Sequence, residues 1–176
     1  MAEAALADEG HPGGGGVRLR RLGQARGQAW EEGSHAETGA LSISYLRWGP
    51  KGFEPAGQWL EATGGETFGA PPGTTVRNDL LAGPVILAKA GGMWGGCGVS
   101  CTDVVTLGPN GPTTLASVQT GYVTEESEIT ATVTPTDGRT GFAANYKGDE
   151  VKVPRVVYTV RGDKAVPDAD AGLPSC

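Results

Sequence analysis

Residues 129–138 read Ile129-Thr-Ala-Thr-Val-Thr-Pro-Thr-Asp-Gly138. Ile129, Ala131 and Val133 alternate with Thr130, Thr132 and Thr134, which puts the apolar side chains on one face of an extended chain and the hydroxyls on the other. Five of those six residues are β-branched, a type that fits a pleated surface better than a helix. Asp137-Gly138 then tolerates the positive φ angles of a tight hairpin turn. The chain returns over Phe142 to Tyr146, and Val151 to Val160 reads as one long final strand. Pro135 and Pro154 cannot donate to a ladder, so their strands are expected at sheet edges or at bulges.

The same pattern recurs upstream. Leu41 to Trp48 alternates until Gly49-Pro50 stops it, and Gln58 to Thr63 is a short second strand. Residues 64–79 read as loop. Val85 to Ala88 forms the strand of an apolar run broken by Gly83-Pro84. Val99 to Leu107 alternates, Gly108 to Pro112 is a turn, and Thr113 to Val123 follows. About eight strands separated by Gly/Pro turns predict an all-β sandwich, jelly roll or small barrel over residues 39–176.

Composition supports that class. Thirty of 176 residues are glycine and twelve are proline, against a usual glycine share of about 7%. Long helices are therefore disfavoured and turns abundant. The net charge of −6 argues against a surface that grips nucleic acid or an anionic membrane. No apolar run approaches the roughly 20 residues of a membrane-spanning helix. The first ten residues lack a basic start and an apolar stretch, so the expectation is cytoplasmic synthesis without a signal peptide.

Residues 1–38 differ from the rest and are expected to form an irregular arm, flexible or ordered by a partner. His11-Pro-Gly-Gly-Gly-Gly16 is a flexible joint. All four arginines of this region lie within residues 18–26, flanked by six acids. Leu19, Leu22, Ala25, Ala29 and Trp30 recur at spacings that suggest a weak amphipathic helix, with Gly23 and Gly27 each costing about 1 kcal/mol relative to alanine. The residues expected to meet a partner are Arg18, Leu19, Arg20, Arg21, Leu22 and Trp30.

Chemistry-bearing motifs are few. The stretch Ala90-Gly-Gly-Met-Trp-Gly-Gly-Cys-Gly-Val-Ser-Cys101 holds two of three cysteines, but spaced by three residues and without a second ligand pair. A closed zinc site wants four N or S ligands. A redox motif wants the two cysteines one residue closer. Four residues of strand span about 13 Å, beyond the reach of a disulfide. The stretch therefore reads as a hairpin turn entering a strand, with Cys97 and Cys101 as free thiols in a reducing compartment. Asp103 shares the face of Cys101, Val105 and Leu107, and reads as an edge-strand guard against sheet-to-sheet pairing.

The acids Glu125, Glu126, Glu128, Asp137, Asp149 and Glu150 form no calcium-loop series and read as a solvated rim. There is no G-x-x-x-x-G-K-S/T and no G-x-S-x-G. Both histidines, His11 and His35, lie in the arm, which leaves any serine or cysteine of the main domain without an obvious base. Arg161-Gly162-Asp163 reads as a turn after the last strand. No catalytic residue, metal ligand or cofactor site is expected.

The inventory thus points away from enzymes and towards a structural or interaction protein that assembles with copies of itself or docks on a larger particle. In composition the chain is similar to the small Gly/Ala/Thr-rich β proteins that coat or decorate virus particles, which implies a capsid, decoration or tail-accessory role in a virion. The alternative is a carbohydrate- or ligand-binding β-sandwich using Trp48, Trp59 or Trp94. A carboxylate-based hydrolase on a jelly roll comes third.

Overall fold

A computed structural model of the chain describes residues 3–7, 15–22, 38–67, 69–148 and 151–174. Among them are twelve strands and one short 3-10 turn, and no α-helix. The strands are β1 (Glu3–Ala7), β2 (Gly15–Leu22), β3 (Thr38–Gly49), β4 (Gly52–Thr67), β5 (Gly73–Arg77), β6 (Val85–Trp94), β7 (Cys97–Gly108), β8 (Gly111–Val123), β9 (Glu128–Pro135), β10 (Gly141–Lys147), β11 (Arg155–Arg161) and β12 (Lys164–Pro167). They form two open sheets, a four-stranded one in the order β1-β2-β3-β4 and an eight-stranded one in the order β12-β11-β10-β9-β8-β7-β6-β5. The protein is all-β, and neither sheet closes into a barrel. The chain divides into one unit of Met1–Pro72 with Pro109–Pro112 and a second of Gly73–Gly108 with Thr113–Cys176.

Strand order in the larger sheet follows from short turns, because each hairpin places the next strand beside the last. Gly95 (φ 57°) and Gly96 (φ 83°) make the two-residue turn between β6 and β7, the pair of positive φ values that matches the right-handed twist of the flanking strands. The stretch Ala90–Cys101 is therefore a hairpin turn entering a strand, as its glycines imply. Gly49-Pro50-Lys51-Gly52 and Gly108-Pro109-Asn110-Gly111 share a second pattern. In each, proline presets φ and the last glycine, at φ 112° and 125° respectively, takes the positive angle.

The core of the second unit lies where β9, β10 and β11 are in register. Val133, Ala144 and Val156 pair in a row, as do Pro135, Phe142 and Tyr158. All three residues of the first row, and Phe142 of the second, are buried. Phe142 and Tyr158 stack with centroids 4.9 Å apart and planes 10° from parallel. Leu80 and Leu81, from the segment between β5 and β6, belong to the same cluster. Inside the sheet the Thr102 and Thr120 hydroxyls bond to each other at 2.8 Å, so neither buried oxygen is left without a partner.

The Leu80–Leu81 segment is clipped at its start. Arg77 Nε donates to Asp79 Oδ1 and Arg77 Nη2 to Asp79 Oδ2, both at 2.7 Å, while Nη1 reaches the Val133 carbonyl at 3.3 Å. The guanidinium hydrogen bond holds the Asp79 carboxyl down to about 2. A carboxyl whose folded value lies below its unfolded one adds stability above the unfolded value and loses it as pH falls. Stability is thus expected to drop between pH 3.8 and about 2 partly through this pair. Asp79→Asn should flatten that part of a urea-midpoint-against-pH curve. Because the carboxylate is exposed, added salt should shrink the difference; a curve identical to that of the parent protein would refute the assignment.

Several sequence expectations need correction. Residues 15–22 form strand β2 rather than helical turns: β3 offers an unpaired edge, and the ladder satisfies backbone groups that a glycine-flanked helix would hold weakly. β9, with Pro135 at its end, is an interior strand between β8 and β10. β7 is interior too, so Asp103 is not an edge guard; it stands opposite Ala88 of β6. Residues 64–67 and 73–77, read as loop, are strand. The expected strand Val151 to Val160 begins only at Arg155. The Arg161-Gly162-Asp163 turn leads into a further strand, β12.

Candidate functional site

Among the described residues of its unit, the long hairpin of β3 and β4 carries the exposed large apolar side chains Trp48, Phe53 and Leu60. Gly49 pairs with Gly52, Trp48 with Phe53 and Arg47 with Glu54, so the residues flanking the Gly-Pro-Lys-Gly turn meet across the strands. Trp48 is 62% exposed, Phe53 57% and Leu60 65%. The Trp48 and Phe53 rings meet edge to face, centroids 5.1 Å apart and planes at 85°, an arrangement their quadrupoles favour. Beside them Arg47 Nε lies 3.9 Å from Glu54 Oε2, an exposed pair of small energetic weight. Farther along, Tyr45 and Trp59 contact with centroids 4.7 Å apart, and Leu41 and Ile43 are fully buried. One end of the hairpin is thus anchored and the other presents two rings held in position by each other.

The arm residues expected to meet a partner are distributed as follows. In the antiparallel register of β2 against β3, Arg18 stands opposite Ser44, Leu19 opposite Ile43, Arg20 opposite Ser42, Arg21 opposite Leu41 and Leu22 opposite Ala40. Five of the six therefore share one strand of the sheet that also bears Trp48 and Phe53. Trp30 lies outside the described residues, as do His11, His35, Asp149, Glu150 and Cys176.

The cysteine reading divides. Cys101 is a free thiol. Burial pushes its pKa up, the negative charge of Asp103 adds to that, and a hydrogen bond from Ser117 works against both. A thiol raised in this way stays protonated near neutrality and is a poor nucleophile. Cys97, in contrast, is disulfide-bonded, which corrects the expectation that it is free. Cys97 and Cys101 do not bridge each other: both lie on the extended strand β7, which holds them beyond disulfide reach.

Among the described residues no three His, Cys, Asp or Glu side chains gather as metal ligands would, and no helix is long and apolar enough to cross a membrane. Of the three tryptophans considered for ligand contact, Trp48 is exposed and Trp59 is half-buried against Tyr45; the side chain of Trp94 is outside the described residues. Sequence reasoning named Trp48 but missed Phe53. The signal was present, since the two flank the Gly-Pro-x-Gly turn symmetrically and a two-residue loop makes them direct neighbours. No family model, curated protein or solved structure matches the chain.

Proposed function

We propose that the protein is a non-enzymatic structural β module that assembles with copies of itself or docks on a larger particle, in the manner of a virion coat, decoration or tail-accessory protein. The observation that carries the proposal is the Trp48–Phe53 pair, 62% and 57% exposed and preorganised at the end of an anchored hairpin. Exposed aromatic pairs leave apolar surface in water that a protein contact would cover, and tryptophan is enriched among the residues that dominate such contacts. A ring pair already held edge to face loses little side-chain freedom on docking. Five of the residues expected to meet a partner, Arg18 to Leu22, lie on β2 of the same sheet. The virion setting rests on the Gly/Ala/Thr-rich composition.

The test is the mass in solution. By light scattering the parent protein is expected to exceed the 18.0 kDa of one chain, and Trp48→Ser with Phe53→Ser to fall towards it while the circular dichroism spectrum is unchanged. A parent protein that stays at one-chain mass would overturn self-assembly. It would then favour the second reading, in which the exposed Trp48 ring stacks on a sugar, as aromatic side chains of carbohydrate-binding modules do; oligosaccharide quenching of tryptophan fluorescence would register it.

A further inference from the structure

The second unit holds a cavity of about 510 Å³ lined by Gln119, Tyr146, Tyr158, Asp168, Asp170 and Leu173, with Pro167, Ala169 and Ala171 beside them. Its size lies within the roughly 300–1,000 Å³ of small-molecule sites. One wall is the sheet, from which Tyr146, 5% exposed, and Tyr158 project on β10 and β11. The other wall is the chain after β12. That segment is fastened at both ends of its course. Asp168 N–H donates to the Val157 carbonyl at 2.9 Å, and Gln119 Nε2 donates to the Pro174 carbonyl at 3.0 Å.

Each carboxylate in the lining has one oxygen engaged by backbone. Val157 N–H donates to Asp168 Oδ1 at 2.8 Å and Gly172 N–H to Asp170 Oδ1 at 2.9 Å. These bonds fix the two carboxyl planes and leave Oδ2 of each with no partner among the described residues. No Lys, Arg or His lines the cavity, so its two negative charges have no counter-charge there. Tyr146 and Tyr158 line it as well, aromatic rings being attractive to cations, and the apolar Leu173 and Ala171 could cover a methylene stem.

We infer that this cavity is a binding site for an organic cation, an ammonium or guanidinium group on an apolar stem, with Asp168 and Asp170 pairing the charge and Tyr146 and Tyr158 forming the aromatic wall. The complementarity has several parts. A cation supplies donors to both free Oδ2 atoms, and charge-assisted bonds of that kind are about twice as strong as neutral ones. A neutral polyol would leave the charge unanswered, and an anion would be repelled. The inference is independent of the assembly proposal, since its residues and those of the β3–β4 hairpin belong to different units.

The test is calorimetric titration of the full chain with spermidine, with Nα-acetyl-arginine amide, and with n-butanol as a neutral control. Saturable binding of at least one cation is expected, with none for n-butanol. Asp168→Asn and Asp170→Asn keep an oxygen for the backbone N–H while removing the charge, and each should weaken binding about tenfold without moving the thermal midpoint. Tighter binding of spermidine would assign the site to free polyamines, and tighter binding of the arginine amide to a protein side chain. Two variants are used so that one failing to fold does not remove the test. Binding unchanged in either folded asparagine variant, equal binding of n-butanol, or no binding of either cation would overturn the inference.

Discussion

Phe142→Ala is expected to lower the unfolding free energy by about 3–5 kcal/mol, the range for truncating a fully buried aromatic residue. Phe142 is 0% exposed, stands opposite Pro135 on one side and Tyr158 on the other, and stacks on the Tyr158 ring. Strands flank it on both sides, and their ladders resist collapse into the space left behind, which keeps the cavity open and the cost high. The stacked pair adds an aromatic contribution that a leucine would not restore, so Phe142→Leu should recover only part of the loss. In urea the midpoint should fall with an unchanged slope, because the surface exposed on unfolding is nearly the same. Phe53→Ala is the control. That ring is 57% exposed, and its removal should change stability by no more than about 0.5 kcal/mol. Equal effects of the two substitutions would mean that the core has been misplaced.

The elements legible in the sequence are those whose local chemistry and tertiary setting agree. β9 shows this: its alternation of Ile129, Ala131 and Val133 with threonines is the burial alternation seen in the fold, with Ile129 and Val133 buried and the threonines more exposed. The β6–β7 turn was legible because only glycine takes two consecutive positive φ angles at low cost. Failures occurred where a partner elsewhere in the chain decides the outcome. Residues 15–22 carry spacing suited to a poor helix, yet β3 provides an edge to pair with, and pairing prevails over weak propensity. Val151 and Val153 look like strand, but Pro154 lacks the N–H that would continue the ladder. The chain instead enters register at Arg155, with the Pro154 carbonyl accepting from Tyr146 N–H at 2.8 Å.

The hairpin of Trp48 and Phe53 was half legible, for turn length fixes which residues face each other but not whether anything covers them. The cavity between Tyr146, Tyr158 and the segment after β12 was not legible. Asp168 and Asp170 sit in a stretch with no periodicity, and what joins them to two tyrosines is a chain path fastened by long-range backbone bonds. Spacing along the sequence does not record such a path.

Gly141→Ala is expected to cost about 3 kcal/mol, at the upper end for overpacking, although it adds a single methyl group. A Cβ at residue 141 would stand 2.1 Å from the Tyr158 carbonyl oxygen and 3.1 Å from its carbon. Both are backbone atoms, so no side chain can swing aside to admit it. Nor can the strand shift as a whole. Gly141 O accepts from Thr136 N–H at 3.4 Å on the β9 side, while on the β11 side Gly141 pairs with Thr159 and Val160 N–H donates to the Thr140 carbonyl at 3.1 Å. Relief on one side therefore breaks pairing on the other, next to Phe142. Gly138 separates this effect from backbone conformation. It sits at φ 70° with nothing within 4 Å of an added Cβ, so Gly138→Ala should cost only the roughly 1 kcal/mol of a left-handed residue. Thermal midpoints of the two variants are the measurement. The fall for Gly141→Ala should be near 10 °C, at about 2–4 °C per kcal/mol for a chain of this size, and that for Gly138→Ala less than half as large. A Gly141→Ala protein that melts with the parent would show that β10 and β11 are not held in this register.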